Sequence, residues 1–273
     1  IIGRDRISTE VQSDSFFGGL LQRHGGQMHM GKFTVGLADA AARHGAKLYE
    51  NAPVTSIEKV ADRGYRIVSA RGEVRAKQVL VATGPSRQGP FGWYRRRLAP
   101  VGSFIVVTEP LAPELVREVF PNLRAYTTSR LMHNYFRITP DSRLLYGGRA
   151  RFTASEQPSD AKSGRILQDG LAKMFPALAQ ARIDYCWGGL VDITADRLPR
   201  AGQHEGIYFS MGYSGHGTQM STHMGQVMAD VIDGRETANP WREFDWPAIP
   251  GHTGKPWFLP IVGTYYRIKD VFY

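Results

Sequence analysis

Cysteine is nearly missing from this chain: Cys186 is the single thiol among 273 residues. One thiol forbids an internal disulfide and any cysteine-rich zinc site, and it fits a reducing compartment, so a cytoplasmic location is expected. Long apolar runs are missing too. Stretches such as Phe258–Ile261 and Val79–Ala82 fall far short of the roughly 18 residues that a membrane span requires. There is no repeat and no low-complexity tract. No basic-then-apolar leader opens the chain, which starts Ile1-Ile2-Gly3-Arg4 without Met, and a processed or truncated chain is expected. The 8 histidines show neither H-x-x-x-H spacing nor acidic company, so no metal site is expected.

What is present describes a loop-rich globular protein, 42% hydrophobic and 22% charged, with 30 Gly and 16 Pro. Its length lets it bury roughly three quarters of its unfolded surface. The net charge of +9 raises the question of nucleic acid. Arg95-Arg96-Arg97 is the only three-residue basic run, however, and no zinc-finger, KH or RRM spacing accompanies it, so no nucleic-acid partner is expected. A mild positive field suits an anionic substrate or cofactor instead.

Periodicity then outlines the elements. Phe33, Leu37, Ala40, Ala41 and His44 share one face of a helix over Gly31–Gly45. Short strands are expected at Ala46–Tyr49 and Pro53–Val60, and a hairpin at Tyr65–Ala70 and Glu73–Lys77 around Arg71-Gly72. Val79–Ala82, ending in Thr83-Gly84-Pro85, suits a strand of a parallel sheet buried on both faces. Phe104–Thr108, Arg124–Thr128, Asn134–Ile138 and Leu144–Gly148 predict an antiparallel layer. Ser163–Phe175 predicts a helix with Ile166, Leu167, Leu171, Met174 and Phe175 on one side. A strand at Gly206–Met211 precedes a long helix over His216–Ile232, whose Met220, Met224, Val227, Met228 and Val231 are core positions. Two halves of a helix-plus-strand layer thus enclose a strand-rich insertion. The tail Trp257–Tyr273 is aromatic and basic. Pro260 and Gly263 interrupt a helix there, so it is expected to pack back on the domain rather than lie on a membrane surface.

The sharpest motif is Gly212-Tyr213-Ser214-Gly215-His216-Gly217-Thr218-Gln219, between a strand and a helix. Its glycines let a ligand approach the backbone, and the helix offers free N–H groups and a positive dipole end. A tight turn without a ligand is the alternative. A second piece is Leu80-Val81-Ala82-Thr83-Gly84, a strand end of the kind where open sheets bind ligands. A third is Trp187–Pro199, with two glycines and a Thr-x-Asp turn.

Together with the helix 32–45 and the strand 53–58, these pieces resemble the D-amino-acid oxidase-like family of FAD-dependent amine and amino-acid oxidases. Asp192-Ile193-Thr194, Arg197-Leu198-Pro199, and the tail from Ile249-Pro250 to Tyr265-Tyr266-Arg267-Ile268-Lys269-Asp270 resemble the gamma-glutamylputrescine oxidoreductase branch. The resemblance implies a mixed α/β fold. An FAD-binding layer of sheet and helices (28–86 and 191–235) would carry an inserted antiparallel substrate domain (1–27 and 92–190), with the tail 236–273 packed on it. It implies non-covalent FAD, contacted by Val54 at the adenine part, by Ala82, Thr83 and Gly84 along the ribose–pyrophosphate, and by Gly212, Tyr213, Ser214, Gly215, His216, Gly217 and Thr218 at the flavin's N1–C2=O edge. The helix N-terminus suits negative charge at that edge. The implied reaction removes a hydride from the carbon next to an amine, and the imine then hydrolyses. Tyr135, Arg149 and His216 are the implied catalytic residues. Tyr135 and Arg137 share a strand face and have a surface pair as their alternative, and His216 has turn capping as its own.

Departures matter equally. The family's opening G-x-G-x-x-G unit is not found, so the chain resembles the latter two thirds of such an enzyme and alone would bind FAD weakly or not at all. Gly189 stands where sarcosine-oxidase relatives attach flavin through Cys. Gln219 replaces a Lys that grips the substrate carboxylate, which favours an amine without a nearby carboxylate over an amino acid. Leu145 replaces a Lys that promotes reaction with oxygen, leaving the electron acceptor open. A non-catalytic chain that keeps the fold without the cofactor is the rival from another class.

Overall fold

The computed structural model describes residues 1–86, 88–148, 152 and 157–271. Helix α1 (Met30–Arg43) forms as its spacing predicts, and its N-cap His29 accepts the Lys32 amide on Nδ1 at 3.3 Å. The next segment, expected as a strand at Ala46–Tyr49, is irregular. Leu48 and Tyr49 are exposed there, and no strand among the described residues pairs with them. Strands β1 (Val54–Lys59), β2 (Tyr65–Ser69) and β3 (Gly72–Ala76) form an antiparallel sheet in that order. After β4 (Leu80–Val81) come α2 (Gly92–Arg95), the 12-residue β5 (Ala99–Pro110), α3 (Pro113–Val119), β6 (Tyr126–Thr127), β7 (Asn134–Ile138) and β8 (Arg143–Gly148). Then follow α4 (Gln157–Met174), β9 (Ile183–Ile193), β10 (Arg200–His204), β11 (Ile207–Met211), α5 (Gly217–Ile232) and α6 (Leu259–Val271).

The architecture is mixed α/β and divides into two compact units, 1–46 with 102–189 and 260–273, and 47–101 with 190–259. These boundaries differ from the expected partition: α1 groups with the first unit, and the tail divides after Leu259. The first unit is built on a sheet in the order β6-β7-β8-β5-β9, with β6–β7, β7–β8 and β5–β8 antiparallel as the turn spacing predicts. Phe104, Phe120, Phe136, Leu144, Tyr146 and Phe175 fill its core, and α4 adds Leu167, Leu171 and Met174. Ile166, expected on that face, is exposed; it stands one residue, about 100° of helix, away from Leu167. Helix α6 continues through Gly263, against the expected interruption. Pro260 sits in its first turn, where a missing N–H breaks no helical bond, and Gly263 leaves room for the Phe152 ring. Tyr266 stacks on Phe152, and the Asp270 carboxylate accepts the Leu131 and Met132 amides at 2.8 and 2.9 Å.

The second unit holds the β1–β3 sheet and a second sheet in the order β10-β11-β4, with β10–β11 antiparallel and β11–β4 parallel. The predicted parallel pairing of the Val79–Ala82 run is present, but its burial is one-sided: Val81 is 4% exposed and Leu80 40%. Successive side chains of the strand point to opposite faces of the sheet, and the Val81 face meets a core made with Phe91, Tyr94, Leu98, Phe209 and Met211. The methionine stripe of α5 behaves as core: Met224 and Met228 are buried with Val227 and Val231 beside Ala201, and Met220 is half-buried. No helix among the described residues is long and apolar enough to cross a membrane.

Candidate functional site

Parallel strands β4 and β11 run side by side in the register Tyr208↔Leu80 and Phe209↔Val81. Parallel neighbours bring their carboxyl ends to one edge of the sheet, so the turns that follow them, Ala82–Gly84 and Gly212–His216, emerge there together. In open α/β sheets that edge is where ligands bind. The two turns meet at one side chain, Asp192, near the end of β9. Its Oδ2 accepts the Gly212 amide at 2.5 Å, and a Cβ built on Gly84 lies 3.7 Å from the same oxygen.

The turn after β11 is held from one side. The Asp192 carbonyl accepts the Ser214 amide at 3.0 Å, and the Ser214 hydroxyl accepts the Thr194 amide at 3.3 Å. The Thr194 hydroxyl donates to the Leu198 carbonyl at 2.9 Å, and the Tyr213 hydroxyl lies 2.7 Å from that of Ser210. Beneath these, Arg200 is buried and pairs with Asp196 at 2.5 Å, closing the turn between β9 and β10. Gly212 must be glycine for two reasons: its φ is +77°, and a Cβ there would lie 2.5 Å from Thr194 Cγ2. Ser214 (φ +52°) and Gly215 (φ +99°) share the left-handed region, so the turn is strained and its bonds hold it in place.

The ligand side is open. Gly215, His216 and Gln219 are exposed, and nothing lies within 4 Å of a Cβ built on Gly217. His216 is the N-cap of α5 but makes no side-chain cap hydrogen bond. The N-cap side chain therefore does not close the start of the 16-residue α5, and the helix dipole there favours an electron-rich group. These features fit the FAD expected from the resemblance: backbone donors, a helix start without a cap bond from His216, and glycine where a close approach needs it.

Burial pushes the Asp192 carboxyl above the ordinary aspartate range, while the amides of Gly212 and Tyr213 pull it down. Burial also raises the Tyr213 phenol, opposed by its bond to Ser210 and assisted by the Asp192 charge.

The structure brings Gly84, Gly212, Tyr213 and Ser214 together around Asp192. Val54 packs on the Val81–Phe209 core of the same unit, and Gly89 abuts its carbonyl. Tyr135 lies in the other unit on β7, with its hydroxyl 3.1 Å from that of Ser103 and its ring over Gly147. Arg137 donates to the Met28 carbonyl and to Gln27 Oε1 and so serves local structure. Arg149 lies outside the described residues. Sequence reasoning assigned no role to Asp192, although an acid inside the apolar run Leu190-Val191-Asp192-Ile193 is a signal that could have found it.

A family model described as DAO, FAD dependent oxidoreductase, matches residues 1–231. The chain is 31% identical to gamma-glutamylputrescine oxidoreductase of Escherichia coli (strain K12), with 99% of this chain and 63% of that protein aligned. It is 30% identical to probable oxidoreductase OrdL of Rhizobium meliloti (strain 1021), over 98% of this chain and 62% of that one. The chain thus spans less than two thirds of the length of either relative. A crystal structure of glycine oxidase from Geobacillus kaustophilus superimposes with a TM-score of 0.73 at 22% identity, over 92% of this chain and 67% of that one. At that identity the likeness speaks for the fold.

Proposed function

The chain belongs to the FAD-dependent oxidoreductase family, and from that premise we propose that it forms the larger part of an enzyme that oxidises an amine at the carbon next to nitrogen. The observation that carries this reading is the convergence of the Ala82–Gly84 and Gly212–His216 turns at the carboxyl edge of the parallel β4–β11 pair, beside the open start of α5. In this reading Ala82, Thr83 and Gly84 run along the ribose–pyrophosphate, Val54 meets the adenine part through its backbone, and Gly212–Thr218 face the flavin. When bound, FAD supplies the two-electron acceptor for the substrate's C–H bond. The chain's own contribution is electrostatic and positional: backbone amides and the α5 dipole favour electron density at the flavin edge, and the latched turn keeps those donors in place without rearrangement.

The substrate we propose is an amine of the gamma-glutamylputrescine kind, small and without a carboxylate beside the reacting nitrogen. The likeness to the Escherichia coli relative supports this, as does the neutral, exposed Gln219 two residues into α5 from Gly217. Tyr135 and His216 are the proposed substrate-side residues, together with Arg149. The reduced thiol Cys186 is consistent with a cytoplasmic setting. Flavin contact is non-covalent, since Gly189 carries no thiol.

The test is FAD titration of the chain with and without the coding sequence upstream of Ile1. A flavin band in the extended form that an amine bleaches, with a weak band or none in the short form, is the expected result. No flavin band in either form refutes the reading. Faster bleaching by sarcosine or glycine than by polyamine derivatives overturns the substrate class.

A further inference from the structure

We propose that Asp192 is the positioning residue of the glycine turn: its carboxylate, fixed on β9, holds the Gly212 amide and so sets the shape in which α5 presents its first turn. The inference rests on the functional reading only for what the turn meets. The positioning itself belongs to this chain.

Four observations carry it. The carboxylate reaches across from another strand, taking the Gly212 amide on Oδ2 while its own main-chain carbonyl takes that of Ser214. Two bonds from one residue to successive parts of the turn define its path. The turn has reason to be held, because Gly212, Ser214 and Gly215 all have positive φ, and Ser214 has no glycine's freedom there. The carboxylate also stands where Gly84 passes, so it spaces the two turns that the parallel strands bring together. Finally, no ion pair among the described residues reaches Asp192, and the titratable group facing it is the Tyr213 phenol. A half-buried carboxylate without a cation beside it opposes folding. Apolar packing of β9 does not call for one, whereas hydrogen-bond acceptance by the turn does.

This arrangement has a pH signature. A carboxyl raised by burial stabilises the fold below its unfolded pKa, and that contribution is lost as pH rises through the folded pKa. Asp192→Asn keeps an acceptor oxygen and removes the charge. It should therefore melt higher than the wild type at pH 8, with a smaller difference at pH 4 or none.

The experiment is amide hydrogen exchange across 207–220 in the wild type, Asp192→Asn and Asp192→Ala, with melting curves at both pH values. Exchange at Gly212–Ser214 should quicken about ten-fold in Asp192→Ala, the loss of roughly one hydrogen bond. It should stay near the wild-type rate in Asp192→Asn, and the interior of α5 should be unchanged in both. Wild-type exchange rates in Asp192→Ala overturn the proposal, as does an Asp192→Asn turn that exchanges as fast as that of Asp192→Ala. If the alanine variant does not fold, Asp192→Ser, whose shorter side chain withdraws the acceptor from the Gly212 amide, takes its place, and wild-type exchange at Gly212–Ser214 in that variant overturns the proposal. FAD affinity of the upstream-extended form should fall in the order wild type, Asn, Ala. An extended form with no flavin band defeats the functional reading and leaves amide exchange as the measure of Asp192.

Discussion

Gly212→Ala probes the turn directly. Alanine keeps the amide that Asp192 accepts, so the change isolates what a Cβ does. Two penalties follow. A non-glycine residue at φ +77° costs about 1–2 kcal/mol for its left-handed backbone. The new methyl would lie 2.5 Å from Thr194 Cγ2, inside any real contact distance. Thr194 is buried and bonded to both Ser214 and Leu198, so it cannot swing away without breaking the latch. Overpacking of this kind costs roughly 1–3 kcal/mol, and the sum is about 2–5 kcal/mol. Thr194→Ser separates the two penalties, because it removes Cγ2 and keeps the hydroxyl. Alone it loses one buried methyl, roughly 0.5–1.5 kcal/mol. In the double variant the overpacking should vanish, giving a favourable coupling of about 1–3 kcal/mol. Urea unfolding followed by tryptophan fluorescence suits the measurement, since Trp93 and Trp246 pack on the core of this unit. Single-variant losses that merely add in the double variant refute the steric argument, and a Gly212→Ala protein as stable as the wild type refutes the whole account of the turn.

Three further outcomes are expected elsewhere. Arg143 donates to Asp184 at 2.6 Å and holds that carboxyl below the ordinary 3.8. A depressed carboxyl contributes stability above its unfolded pKa and loses it as pH falls through the folded one, so Asp184→Asn should melt below the wild type at pH 7 and converge with it under strongly acid conditions. Burial pushes the Tyr94 phenol up to about 12, with the Glu205 charge assisting. Stability tied to the protonated phenol is present below the ordinary 10.0 and lost as pH climbs towards the raised value, so Tyr94→Phe should move alkaline unfolding to higher pH in a circular-dichroism titration. Asp270→Ala removes the acceptor for two amides of the loop before β7, which should cost about 1–3 kcal/mol and expose 129–133 to limited proteolysis, and an unchanged cleavage pattern would contradict the anchoring role of α6.

Local pattern was enough for the elements whose burial is one-sided and regular. The spacing of Met224, Val227, Met228 and Val231 announced α5 and its core face, and the turn residues around 71–72 announced the β2–β3 hairpin. It misjudged elements whose fate depends on neighbours. Leu48 and Tyr49 have β propensity but no strand to pair with, so they stay irregular. Leu80 reads as core, yet it stands on the face of β4 opposite Val81 and is exposed, because burial of a face depends on what packs over it. Pro260 reads as a helix breaker and proves to be a first-turn residue, because only the position of the helix start decides which.

The same division applies to the candidate site. The glycines of 212–217, the small residues at 82–84 and the apolar strands before them were legible in the sequence, because backbone freedom and strand burial are local properties written in residue type. That these two turns meet, and that they meet on the carboxylate of Asp192, was decided by the parallel pairing of β4 with β11 across more than a hundred residues of intervening chain. Hydrogen bonding between strands far apart in sequence depends on the whole sheet, and no local periodicity encodes it.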